Sequence, residues 1–142
     1  MKQENPFVGT WSYRSLNNDP DLSVSFNDLQ FGMGTLKITA DSFDTLGGTI
    51  GGPGWSLNLR GSFGYGSPMQ VRFQGKGVVG PAEWIYDYIG WLVPVWPNSN
   101  AQLERPSIVG SIVRTVPHQS ETGTGPIHPA GVVASWYAVR SK

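Results

Sequence analysis

The chain has no cysteine and few charged residues, and both shortages narrow its possible functions. None of its 142 residues is cysteine, which excludes disulfide bonds, thiolate catalysis and zinc sites built on sulfur. Lysine and arginine together number 10, as do aspartate and glutamate, so the formal net charge is zero. The sequence therefore lacks the charged surface that nucleic acids or anionic membranes require. We expect neither nucleic acid nor a membrane as a partner.

Long apolar runs are also missing. The longest run, 89–96, is interrupted by Gly90 and Pro94 and is far shorter than the roughly 20 residues of a membrane-spanning helix. Residues 1–6 lack the apolar stretch of a secretory signal. These features predict a soluble, cytoplasmic protein.

The residues that are abundant favour strands over helices. The chain contains 19 glycines and 11 prolines, and inside a helix each glycine costs about 1 kcal/mol and each proline about 3 kcal/mol. Valine, isoleucine, threonine and the aromatic residues prefer strands. With a length typical of one domain, the sequence predicts a single all-β domain over 1–142.

Period-two alternation of apolar and polar residues recurs eight times, between clusters of Gly, Pro, Asn and Asp. Eight is the number of strands at which a closed barrel can hold one small ligand. We therefore predict a single antiparallel, mostly up-and-down β-barrel of about eight strands. The predicted strands are 8–15, 34–40, 45–50, 55–62, 69–78, 83–93, 107–116 and 131–140.

Three connections between these strands are long, namely 16–33, 94–106 and 117–130. Long loops in a compact domain are often lids or mobile segments, so we expect the mouth of the barrel among them. In the first loop, Phe26 and Phe31 are candidate gate residues. The alternative is that they plug the barrel with no ligand present.

The opening strand carries Gly9-Thr10-Trp11 followed by alternation through Tyr13. This start resembles the Gly-x-Trp of lipocalins and the Gly-Thr-Trp of avidins, which belong to the calycin superfamily. The resemblance covers the first strand and the strand count. It implies that Trp11 closes the barrel floor and that a basic residue, Arg140 or Arg114, packs across it through a cation–π contact. It implies neither biotin nor any particular lipocalin ligand.

The segment 83–91 is the densest chemical feature. Alternation places Trp84, Tyr86 and Tyr88 on one face, and Glu83, Ile85, Asp87 and Ile89 on the other. If the aromatic face points inward, it supplies flat walls and phenolic hydroxyls for a small ligand. If the other face points inward, desolvation raises the pKa of Asp87 and makes it a candidate general acid or base. The sequence leaves this orientation open.

Other polar residues give weaker indications. Arg60 and Arg72 alternate with apolar residues, which is typical of outward polar side chains, whereas an inward orientation would make them anchors for a carboxylate or an enolate-like oxygen. His118 and His128 lie in a loop rich in Gly, Thr and Pro. Because their spacing matches no metal motif, we expect solvated histidines and no metal.

The favoured function is non-covalent binding of a small apolar or aromatic molecule in the barrel, without a cofactor. An apolar cavity with a few polar groups is the usual form of such a site. The predicted ligand contacts are Trp11, Tyr13, Phe26, Phe31, Arg60, Trp84, Tyr86 and Tyr88.

Two other functions compete with it. A cofactor-free isomerase or cyclase would fold its substrate in the same cavity, with Glu83, Asp87, Tyr86 and Arg72 as candidate catalytic residues. An interaction or carbohydrate-binding module would instead expose Tyr88, Trp91 and Trp96 as a shelf. Aromatic residues on both faces of the last strand also predict a homo-oligomer, with a dimer favoured.

Overall fold

The computed structural model describes residues 5–42, 45–93, 98 and 105–141. Eight strands form one closed barrel, in which each strand pairs antiparallel with its neighbours along the chain and β1 pairs with β8. The predicted all-β, up-and-down barrel is thus confirmed. The strands are β1 (Gly9–Asn17), β2 (Gln30–Ala40), β3 (Thr45–Gly52), β4 (Trp55–Gly64), β5 (Gln70–Val79), β6 (Ala82–Leu92), β7 (Ser107–Arg114) and β8 (Val133–Arg140).

Strand β2 begins at Gln30, earlier than the predicted start at residue 34. Residues 30–33 pair with the end of β1, and the register shifts between Ser15 and Leu16. Gly32 makes this segment resemble a loop in the sequence, but it allows close packing of the two strands, since a Cβ there would lie 3.2 Å from the hydroxyl oxygen of Ser15. The first long loop therefore covers only 18–29.

A layer of aromatic side chains fills the middle of the barrel. It consists of Tyr13, Phe73, Tyr88 and Trp136, whose contacting ring centroids lie 5.1 to 6.3 Å apart. Gly90 faces Trp136, and a Cβ at Gly90 would lie 2.7 Å from the indole ring. The indole N–H of Trp136 donates to backbone oxygens of β6 and β7, at 3.2 and 3.0 Å. This aromatic layer separates the two ends of the interior.

Trp11 lies at the floor and is fully buried. Its indole N–H donates to the carbonyl oxygen of Phe7 at 3.0 Å, and the guanidinium carbon of Arg140 lies 4.5 Å from its ring centroid. Arg140 also donates to the carbonyl oxygen of Pro6. The expected basic residue across Trp11 is therefore Arg140, while Arg114 lies elsewhere.

The long loops do not share one end. Strand direction places loop 18–29, the turns at 53–54 and 80–81, and loop 115–132 at the mouth. Leu92 pairs with Ile108, and Ile108 with Ala138, which places the end of β6 and the start of β7 at the Trp11 end. The expectation that 94–106 borders the mouth is not met by the two ends of that connection, which lie at the opposite end of the barrel. Most of that connection lies outside the described residues.

Within the part of the chain that the structure describes, no helix has the length and apolar character needed to cross a membrane. The cytoplasmic location stays a prediction.

The floor contact predicts that Arg140→Gln lowers the free energy of unfolding by about 1–2 kcal/mol, because a cation–π contact and a hydrogen bond to the backbone are lost. Urea denaturation followed by tryptophan fluorescence measures this change. Arg72→Gln is the matched control, since Arg72 is exposed and its loss should change stability by less than about 0.5 kcal/mol. Equal effects of the two substitutions would contradict a structural role for the Arg140 contact.

Candidate functional site

The aromatic face of β6 points into the barrel. Tyr86 and Tyr88 are buried and Trp84 is half-buried, whereas Glu83 and Asp87 are exposed on the outside. Glu83 forms an ion pair with Lys76 at 3.7 Å, and Asp87 accepts a hydrogen bond from Gln74 at 3.4 Å. The orientation that the sequence left open is thereby decided, with aromatic rings inside and carboxylates outside.

A cavity of about 150 Å³ lies between the aromatic layer and the mouth. Cavities of about this volume hold a single benzene ring. The wall combines flat aromatic rings with aliphatic side chains and a few hydroxyls. Its lining residues are Tyr13, Ser15, Phe31, Gly32, Trp55, Leu57, Trp84, Tyr86, Tyr88, Ile112 and Glu121.

Four lining residues carry hydroxyl groups, namely Tyr13, Ser15, Tyr86 and Tyr88. The Ser15 hydroxyl donates to the carbonyl oxygen of Gly32 at 3.4 Å. Burial raises the pKa of Tyr13, although hydrogen bonding to Ser15 lowers it in part. Burial likewise raises the pKa of Tyr88. Both phenols therefore stay neutral near pH 7, where each can donate or accept a hydrogen bond.

A hydrogen-bonded chain runs from β7 through Tyr86 to the β7–β8 loop. Arg114 Nε donates to the Tyr86 hydroxyl oxygen at 3.1 Å, and that oxygen lies 2.5 Å from His118 Nε2. His118 Nδ1 lies 2.7 Å from the carbonyl oxygen of Gln119. Since a carbonyl only accepts, Nδ1 carries the proton, and Nε2 accepts the proton of Tyr86. The Trp84 ring stacks on His118, with 4.1 Å between centroids.

His118 is held in its neutral form. Burial lowers its pKa, the charge of Arg114 adds to this effect, and the Gln119 carbonyl opposes it. His118 is only 5% exposed, so the expectation of a solvated histidine is wrong for this residue. His128 is exposed.

Arg114 is buried, and its partners are neutral. Besides Tyr86, it donates through Nη1 to the carbonyl oxygen of Pro129 at 3.2 Å. Its guanidinium carbon lies 5.0 Å from the Phe31 ring centroid, across the mouth. Among the described residues, no carboxylate lies within ion-pair distance of Arg114.

Residues 118–128 form a lid hairpin over part of the mouth. Its base is a pair of backbone hydrogen bonds between His118 and His128, at 3.1 and 2.8 Å. Glu121 packs closely against the turns at 53–54 and 80–81. A Cβ at Gly80 would lie 2.2 Å from the carbonyl oxygen of Glu121, and a Cβ at Gly54 would lie 3.2 Å from its carboxyl carbon. Glu121 therefore reaches the rim of the cavity from the lid.

The structure brings five of the predicted ligand contacts to the cavity: Tyr13, Phe31, Trp84, Tyr86 and Tyr88. Trp11 does not line it, because the aromatic layer lies between them. Phe26 is 71% exposed in loop 18–29. Arg60 faces outward, since Leu57 and Leu59 take the inward positions of β4.

Of the candidate catalytic residues, only Tyr86 faces the cavity, while Glu83, Asp87 and Arg72 are exposed on the outer face. The proposed shelf does not form either, because Tyr88 points inward and Trp91 outward. Trp96 lies outside the described residues.

Several residues of the cavity wall were not predicted from the sequence. Ser15 follows Tyr13 by two residues, so alternation could have identified it. Trp55, Leu57 and Ile112 also lie on inward faces of predicted strands. Nothing in the sequence indicates that Glu121 reaches the rim, because that depends on how the lid hairpin folds back. Among the described residues, no group of three or more potential metal ligands is close enough to hold an ion.

Comparison with known proteins found no match: no family model, no curated protein and no solved structure is significantly similar to this chain. Its function is therefore argued from the site.

The buried neutral His118 predicts a contribution to stability that is complete above about pH 6.5, the ordinary pKa of histidine. Between that pH and the lowered pKa in the folded state, the unfolded chain binds more protons, so stability falls as the pH decreases. Thermal unfolding measured from about pH 8 to about pH 5.5 should show this decrease. Protonation also removes the acceptor of the Tyr86 proton.

His118→Gln should flatten this pH dependence, while His128→Gln should leave it as in the wild type because His128 is exposed. If both variants retain the wild-type slope, carboxyl groups rather than His118 cause the loss of stability.

Proposed function

We propose that this protein binds one small, ring-containing organic molecule in the cavity at the barrel mouth, non-covalently and without a cofactor. The observation that carries this proposal is the inward aromatic face of β6, which borders a cavity of about 150 Å³. Flat rings favour stacking of another ring, and the hydroxyls give it an orientation. The volume suits a single substituted ring.

We also propose that the barrel is calycin-like. Three features support this relation: the Gly9-Thr10-Trp11 start, the closed barrel of eight sequential strands, and Arg140 stacked across Trp11. The proposal concerns architecture, and the ligand is inferred from the cavity alone.

Native mass spectrometry of freshly purified protein, followed by denaturing analysis of released molecules, tests the binding function. We expect about one bound molecule per chain, with a mass typical of a single substituted ring. A preparation that is empty and that no small aromatic compound stabilises against heat would contradict the proposal.

Ile112→Trp sharpens this test, because it places an indole ring inside the cavity that Ile112 lines. This variant should lose the bound molecule while circular dichroism still reports a β-barrel. Val113→Trp is the matched control, since the next residue of the strand points to the opposite face. Retention of ligand by Ile112→Trp would place the binding site elsewhere.

A cofactor-free isomerase or cyclase in the same cavity is the second candidate, favoured by the surroundings of Tyr86. The phenol lies between a guanidinium donor and an imidazole acceptor. Burial raises its pKa, and Arg114 partly offsets this rise. A phenol placed in this way can pass a proton between a substrate and the imidazole.

Tyr86→Phe distinguishes the two candidates. If the protein is an enzyme, wild-type protein incubated with a small-molecule extract of the cells that produce it should form a product that Tyr86→Phe does not form. Tyr137→Phe is the control, because Tyr137 lies on the outer surface. Mass spectra identical for all three samples would favour binding without catalysis.

We further propose a homodimer. Trp91, Val109 and Tyr137 are consecutive register partners on the outer face of β6, β7 and β8, and each is more than a third exposed. A second copy would cover this apolar row. The native mass spectra described above report the mass of the assembly directly.

A further inference from the structure

Arg114 is a buried cation whose contacts among the described residues are all neutral. Its guanidinium is surrounded by the Tyr86 hydroxyl, the Pro129 carbonyl oxygen and the face of the Phe31 ring. Buried charges in proteins are usually paired, because an ion removed from water without a counter-ion is costly. Since no carboxylate among the described residues lies within 4 Å of it, the position suits an anion that arrives with a ligand.

The cavity lies directly beside this cation. Two of the groups that Arg114 contacts, Phe31 and Tyr86, are lining residues. The wall also holds a buried donor without an acceptor among the described residues, the indole N–H of Trp84. The surroundings of the cavity therefore combine a buried positive charge with a donor that no described residue uses.

Glu121 is the one acidic residue of the lining, and it works in the opposite direction. Its side chain lies at the rim and is exposed. Water and salt screen an exposed charge far more than a buried one. The charge of Glu121 is therefore weakened by solvent more than that of Arg114.

We propose that the cavity selects a small ring bearing one negative charge, a carboxylate or another single oxyanion, with that group directed toward Tyr86. This inference rests on the proposed binding function and specifies the chemistry of the ligand. Tyr86 would turn its proton from His118 Nε2 to the ligand oxygen, and Arg114 behind it would supply the opposite charge. Hydrogen bonds to an ionised group are stronger than those between neutral groups, so the exchange of acceptors is favourable.

Isothermal titration of the wild-type protein with benzoate and with benzamide tests the inference, because the two compounds share size and shape and differ in charge. We expect benzoate to bind at least tenfold more tightly, a difference of about 1.4 kcal/mol. Equal affinities, or tighter binding of benzamide, would overturn the anion preference and leave the binding function intact. If neither compound binds at millimolar concentration, the single-ring binding function fails, and this inference fails with it.

Two variants test the source of the preference. Arg114→Gln should bring the benzoate affinity down to that of benzamide, while Arg60→Gln, outside the barrel, should change neither. Because Arg114 is buried and its loss can impair folding, Glu121→Gln provides an independent test at an exposed residue. Removal of this rim charge should tighten benzoate binding by about two- to fivefold and leave benzamide unchanged. An unchanged benzoate affinity in Glu121→Gln would contradict binding of an anion in this cavity.

Discussion

The packing of Trp136 in the middle of the barrel is the interaction on which the rest of the interior depends. Its ring occupies space that Gly90 leaves free, and its N–H donates to backbone oxygens of β6 and β7. Tyr13, Phe73 and Tyr88 pack around it. Below this layer, Trp11 and Arg140 close the floor of the barrel. The space above the layer is open enough to hold a molecule.

Three polar side chains of the upper half form one connected unit rather than separate contacts. Arg114 comes from β7, Tyr86 from β6 and His118 from the lid hairpin, and each orients the next. Because burial keeps His118 neutral, the hydrogen bonds have one direction: Arg114 donates to Tyr86, and Tyr86 donates to His118. The protonation state of His118 in the lid hairpin is thus linked to the hydrogen bonding of the cavity wall through the Tyr86 hydroxyl.

The alternation of residue types was sufficient to predict all eight strands, because each strand has one face in the core and one in solvent. It also grouped Trp84, Tyr86 and Tyr88 on one face, although it left the direction of that face open. It did not predict that Arg114 stacks on Phe31, since this contact joins strands on opposite sides of the mouth. The early start of β2 was missed because Gly32, which permits close packing against Ser15, is typical of a loop in sequence.

The lid hairpin has a kinetic consequence. It rests on two tight turns, at Gly54 and at Gly80, and its base is tied by both backbone bonds between His118 and His128. A molecule that enters or leaves past the hairpin must wait until these contacts separate. Loop motions of this kind take far longer than diffusion across the mouth. The residence time of the proposed ligand on this route would then depend on the opening rate of the hairpin as well as on its contacts with the wall.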